Sequence, residues 1–336
     1  MNRRKLIMIF GSISLVLAFA VFPFLTGCRG APAEAPGPIT LKAISGAPID
    51  DPLSTPLLML RDKVNERSNG ELIIEVVGGP EVISEFGIHE AVAGGRMDVA
   101  LLGPTYSAVI PGAMALMLSE YTPAEERASG AYDYFNEVHQ SVNLYYLGRG
   151  HPGEGLSFLL WSNVMTEGPD DLVGLKTGDG TILPSGLREV GMIPTTVEFM
   201  EIYGALERGV IDALVMPAIV TSSMHFHEQI AYVIDLSLAY ADGSHIINLE
   251  KLDSLPSHLQ ELLKEAALEV EQEAEAYYLD LLDGEMQTIL DSGVEVIEFS
   301  AQDSQWLLDN IYEGEWAALI EQYPDIGPSL QDLFSK

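Results

Sequence analysis

From residue 39 onward the chain alternates between two hydrophobic periods. Short apolar or β-branched runs, read as strands, cover 39–44, 71–77, 97–102, 143–148, 156–161, the segment around Leu175, 193–195, 213–216, 232–236, 245–249 and 294–299. Between them apolar positions return every three or four residues, predicting helices over 52–69, 86–93, 123–140, 183–190, 197–208 and 302–322. Asn69-Gly70 and Gly94-Gly95 stop two of these, because residues that accept a positive φ end a helix easily. Alternation of this length predicts an α/β fold with parallel pairing and right-handed crossovers.

The longest helical pattern runs over 256–290, with Leu259, Leu263, Ala266, Val270, Ala274 and Leu281 at helical spacing. At 1.5 Å per residue such a helix extends about 50 Å, more than one small lobe. It therefore crosses two lobes or breaks at its weak point, Gly284.

The first residues follow a different pattern. Arg3, Arg4 and Lys5 precede an almost wholly apolar run over 6–24, and Leu25-Thr26-Gly27-Cys28 resembles a bacterial lipobox. That order of charge, apolar run and small residues marks a secretory signal, although the run is also close to the length of a membrane-spanning helix. Cys28 is the chain's one cysteine and stands where lipidation needs it. The expectation is cleavage after residue 27, a lipid on Cys28 at the outer face of the cytoplasmic membrane, and a Pro- and Gly-rich tether over 28–38.

Composition narrows the function. Without residues 1–27 the chain keeps 309 residues, enough for two lobes. The net charge is −33, and −36 once Arg3, Arg4 and Lys5 are removed. With no basic patch, nucleic acid is not an expected partner. No nucleophile elbow, phosphate loop or dinucleotide fingerprint occurs, so no catalytic residue and no cofactor are expected.

Several motifs then fall in a recognisable order. They are Ser68-Asn69-Gly70-Glu71-Leu72, Ala93-Gly94-Gly95-Arg96-Met97-Asp98, Pro169-Asp-Asp-Leu-Val-Gly-Leu-Lys176, Phe199 through Asp212, and Phe226-His227-Glu228-Gln229. Together they resemble the DctP-type solute-binding proteins of tripartite (TRAP) transporters. The resemblance implies a two-lobed periplasmic-binding-protein-like fold with a long helix crossing both lobes. Lobe I is expected over 39–147 plus about 233–260, and lobe II over 148–232 plus about 261–336. It implies an interlobe cleft for a small molecule and delivery to a membrane permease, with no chemistry performed. A binding protein for an ABC permease or a sensor kinase, and an exported enzyme, are the rival readings.

In that family an arginine two residues after the motif lysine grips a ligand carboxylate through a two-pronged ion pair. Here that position is Gly178, and a commonly polar position before the later proline is Met216. Two accounts follow. Either Arg149, in the Gly-rich run 148–153, supplies the missing charge, or the ligand is neutral, cationic or apolar. Asp50 and Asp51 follow the first strand, where α/β sheets bind ligands, or else cap the next helix. Tyr106, Trp161, Met216 and Tyr240 are candidate lining residues, or else core. Glu201 is a ligand or hinge contact, or else a first-turn acid on a helix dipole. His225-Phe-His227-Glu228 would hold a metal on a strand, but a turn leading into a helix points the two rings apart, and no metal is expected.

Overall fold

The computed structural model describes residues 37–103, 110, 112–178, 182–241 and 243–336; Cys28, the signal stretch, most of the tether and Tyr106 lie outside them. Along the chain come β1 (Ile39–Ser45), α1 (Thr55–Arg67), β2 (Leu72–Gly78), α2 (Glu85–Ala93), β3 (Val99–Leu102), α3 (Pro123–Ser129), α4 (Ala131–Gln140) and β4 (Leu144–Arg149). The second stretch holds β5 (Ser157–Ser162), β6 (Lys176–Gly178), α5 (Pro184–Glu189), β7 (Ile193–Pro194), α6 (Ile202–Glu207), β8 (Ala213–Pro217), α7 (Ala218–Ser223) and β9 (Tyr232–Tyr240). Then follow β10 (Ser244–Asn248), α8 (Leu249–Ser254), α9 (Ser257–Asp291), β11 (Glu295–Ile297), α10 (Ala301–Gln322) and α11 (Gly327–Phe334).

The strands form two sheets, ordered β2-β1-β3-β10-β4 and β11-β9-β5-β8-β6-β7. Pairing is mostly parallel, as expected, but each sheet holds one reversed strand. These are β10, antiparallel to both β3 and β4, and β5, antiparallel to both β8 and β9. Each begins just after one of the two direct strand-to-strand crossings between the sheets. β9, expected with lobe I from about residue 233, pairs with β5 and β11 in the second sheet. The return to the first sheet comes after Tyr240.

Local chemistry explains the helix boundaries. The helix expected over 123–140 is two helices. Thr122 and Glu125 form a capping box around Pro123, and Gly130 at φ 89° ends α3 and turns the chain into α4. The strand expected over 245–249 stops at Asn248, whose side chain accepts from the Lys251 backbone N–H and starts α8. α7 and α11 were not anticipated as helices.

α9 runs unbroken through Gly284, where no neighbour crowds the backbone. Its first half buries Leu259, Leu263, Ala266 and Val270 in the core of the first sheet, while Ile289 packs into a core of the second. Midway, Gly155 lies so close that a Cβ there would come 2.5 Å from the backbone carbonyl carbon of Tyr278. Only glycine lets the crossing chain approach the helix this tightly.

Candidate functional site

The topology brings two sheet edges together. β1, β2 and β3 are parallel, so their carboxyl ends share one edge of the first sheet, and β4 leaves from that same edge. In the second sheet β6, β7, β8 and β9 also run parallel, and β5 enters from their carboxyl edge. Both carboxyl edges therefore face the crossing. The two crossing segments lie side by side, with the Gly150 and His151 N–H groups donating to the Gly243 carbonyl at 2.7 and 3.0 Å. Open α/β sheets bind ligands outside the carboxyl ends of their strands, which makes this crevice the candidate site.

On the first-sheet side, the turn after β1 is held by its own polar groups. Ser45 and Ser54 share a hydroxyl hydrogen bond of 2.7 Å, and Ser54 Oγ donates to the Pro48 carbonyl at 2.7 Å. Asp51 is a cap, accepting from the Leu53 N–H at 2.8 Å. Asp50 beside it is exposed. On the second-sheet side the candidate residues are buried in an apolar core. Gly178 is buried, and a Cβ there would stand 2.4 Å from Cδ1 of Ile211. Met216 is buried, and its carbonyl accepts from Trp161 Nε1 at 2.8 Å. Trp161 has no exposed surface, so it is core rather than lining.

Arg149 does not reach the crevice as a free cation. It is 3% exposed; its guanidinium pairs with Glu126 and donates to the Leu116 carbonyl at 3.0 Å. Its backbone N–H donates to Glu271 Oε1 at 2.7 Å, and Glu271 pairs with Arg127 at 2.9 Å. Burial lowers the Arg149 pKa, but the Glu126 carboxylate outweighs it and holds the group above its ordinary value. Burial pushes the Glu271 carboxyl up against the pull of Arg127. The expectation that Arg149 replaces the missing arginine is thereby corrected: its charge is already matched inside the protein.

Tyr240 is half-buried and lines a cavity of about 670 Å³ with Ser119, Glu120, Tyr312, Trp316 and Gln331. Burial, with Tyr240 and Glu120 nearby, pushes the Tyr312 hydroxyl up to about 12. Trp316 Nε1 is buried without a partner. Glu201 is exposed ahead of α6, and its side chain makes no capping hydrogen bond. The structure thus separates the expected residues. Gly178 and Met216 both face the core that holds Ile211, Asp50 lies after β1, Tyr240 opens on the α10 side, and Tyr106 falls outside the described residues.

The family profile of bacterial extracellular solute-binding protein family 7 (DctP) matches residues 45–312. The chain belongs to this family. A curated DctP relative, the C4-dicarboxylate-binding periplasmic protein of Rhodobacter capsulatus, is 25% identical over 138 residues. That match covers 40% of this chain and spans 41% of the relative's length. A TRAP periplasmic solute-binding protein from Desulfovibrio salexigens, solved with orotic acid, superposes with a TM-score of 0.76 at 19% identity, covering 88% of this chain and 97% of its own. The apo open structure of a similar protein from Marinobacter aquaeolei VT8 also gives 0.76, at 20% identity, covering 88% and 100%. The DctP fold is therefore the fold of this chain, long helix included. Among the described residues no helix is long and apolar enough to cross a membrane.

Sequence reasoning missed two DctP-chain residues at the crossing. His151 Nε2 lies 2.9 Å from the Leu53 carbonyl, and its ring packs edge-on against Tyr278 at 5.8 Å. His245 is fully buried, and neither ring nitrogen makes a well-formed hydrogen bond. Burial pushes His151 down to about 4. Burial and the neighbouring His151 push His245 down to about 3, against a small opposing pull from the Pro56 backbone. Glycine at 150 and 243 was the available signal: these bare positions leave room for the imidazoles.

Proposed function

We propose that this chain is an exported lipoprotein that captures a small organic solute at the crevice between its two sheets and passes it, unchanged, to a TRAP-type permease. The observation that carries this reading is the convergence of both carboxyl edges on one double crossing. The lipobox ending in Cys28 and the basic, apolar start of the chain support export and anchoring. Two lobes joined by narrow crossings favour a hinge that closes over the solute.

The solute class we infer is neutral or cationic. The named relatives take acids: a C4-dicarboxylate and orotic acid. Here the sequence stretches 46–54, 79–84, 103–122, 179–183, 195–201 and 241–244 contain neither Lys nor Arg. Among the described residues, the same stretches carry Asp50, Asp51, Glu81, Glu198 and Glu201. A carboxylate taken out of water without a cationic partner costs several kcal/mol, so such edges disfavour a buried acid. Thermal-shift titration of the purified protein tests the inference, because a tight ligand raises the melting temperature by mass action. Amines, betaines and polyols are expected to include the largest shift. Stabilisation by succinate or orotate that survives an Arg149→Met change would overturn the solute class and leave the capture function standing. Turnover of any stabilising compound would overturn the capture function itself.

A further inference from the structure

The turn after α7 assembles three side chains that no solute-binding role uses. α7 ends at Ser223, and the His225 N–H donates back to the Ser222 carbonyl at 2.9 Å. His225 then takes a left-handed conformation, φ 59°, and a 3-10 turn follows over Phe226–Gln229. This fold-back undoes the expectation that a spacing of two points the rings apart. The rings of His225 and His227 stand 5.9 Å apart, and His225 Nδ1 lies 3.7 Å from Glu228 Oε1. One ligand atom from each of His225, His227 and Glu228 lies within 4.8 Å of the others.

The groups behind them have the arrangement of a metal site's outer shell. His227 is largely buried, and its Nδ1 donates a long hydrogen bond of 3.4 Å to the Thr221 carbonyl, which turns Nε2 into the lone-pair nitrogen. Tyr203 Oη donates to Glu228 Oε2 at 2.9 Å and accepts from Gln229 Nε2 at 2.9 Å, so the carboxylate is held from its far side and Oε1 is left toward the histidines. Tetrahedral Zn²⁺ with bonds of about 2.0–2.2 Å needs ligand atoms roughly 3.3 Å apart. His225 and Glu228 are exposed, so small rotations suffice to close the remaining distance.

We propose that His225, His227 and Glu228 form a surface site for a borderline divalent transition metal ion (Zn²⁺, Ni²⁺ or Cu²⁺) on the turn after α7, with Tyr203 of α6 holding the carboxylate ligand from behind. Two imidazoles and one carboxylate suit these ions rather than Mg²⁺ or Ca²⁺. A fourth position stays open to water. The strongly negative chain raises the local cation concentration around it. The site is independent of the solute crevice.

The test uses the untagged full chain, stripped with a chelator and titrated with Zn²⁺ by calorimetry. One saturable site is expected, lost in His225→Asn, a change that keeps a residue tolerant of the left-handed conformation. Tyr203→Phe keeps the ligands but frees Glu228, and is expected to weaken binding by about tenfold or more. Cu²⁺ bound to the same chain should show coupling to two nitrogens in its paramagnetic resonance spectrum. Equal Zn²⁺ affinity in wild type and a folded His225→Asn variant overturns the proposal, as does the absence of saturable binding.

Discussion

Two buried polar clusters sit on the same crossing, a few residues apart, and meet the problem of burial in opposite ways. At Arg149 the solution is pairing: two arginines and two glutamates, Arg149–Glu126 and the partly exposed Arg127 with buried Glu271, offset one another's charges. At His151 and His245 it is neutrality: both imidazoles give up their protons rather than their burial. The first cluster fails when a partner is removed. The second tolerates neutral pH and fails when protons are supplied. The same double crossing thus rests on one device sensitive to mutation and another sensitive to acid.

Breaking a pair tests the first device. Removing one member of a buried ion pair leaves its partner uncompensated and typically costs about 3–5 kcal/mol. Arg149→Met should therefore lower unfolding stability by that amount in denaturant titrations. Arg149→Met combined with Glu126→Leu should recover much of it, since a packed apolar pair replaces the charges. Full additivity of the two changes would show that the clusters, as contrasted above, have been misassigned.

Acid tests the second device. A histidine held neutral has a folded pKa below its unfolded value, about 6.5. Its contribution is fully present above that value and is lost as pH falls toward the folded pKa, about 4 for His151 and about 3 for His245. The loss amounts to roughly 3 kcal/mol for His151 by pH 4. His139, also buried and pushed down to about 4, adds to it. Glu271 works the other way, because burial raises its carboxyl pKa. His245→Phe removes one titrating ring whose nitrogens make no good hydrogen bond. Melting temperatures measured across this range should then fall less steeply than in wild type; an unchanged slope would remove His245 from the acid response.

A third change calibrates both. Gly284 lies within α9 with open space around it, beyond Glu271 and Tyr278. Gly284→Ala should stabilise the protein by about 0.5–1 kcal/mol through helix propensity. It should leave the acid slope and the Arg149→Met penalty as they were.

Much of this was legible in the sequence, for identifiable reasons. The 256–290 helix was readable because apolar residues keep one phase for many turns. The strands of both sheets were readable as β-branched runs. What failed to show was pairing at a distance. Nothing near Arg149 in the chain points to Glu126 or Glu271, so its loop position read as a free cation. Asp51 was read as either ligand contact or cap, and its bond to the Leu53 N–H makes it a cap. Trp161 and Met216 were readable as apolar, but which face of β5 and β8 they occupy depends on register. Left-handed residues were the other blind spot. Gly130 splits a helix and His225 reverses a turn, and each depends on one dihedral angle that periodicity does not encode.

The unbroken course of α9 limits how the protein can move. A rod gripped by the first sheet's core at one end and the second's at the other cannot shorten or be spliced. The halves are therefore denied any sliding along its axis. They are left with swivelling about the rod or bowing it, much as a book opens along its spine.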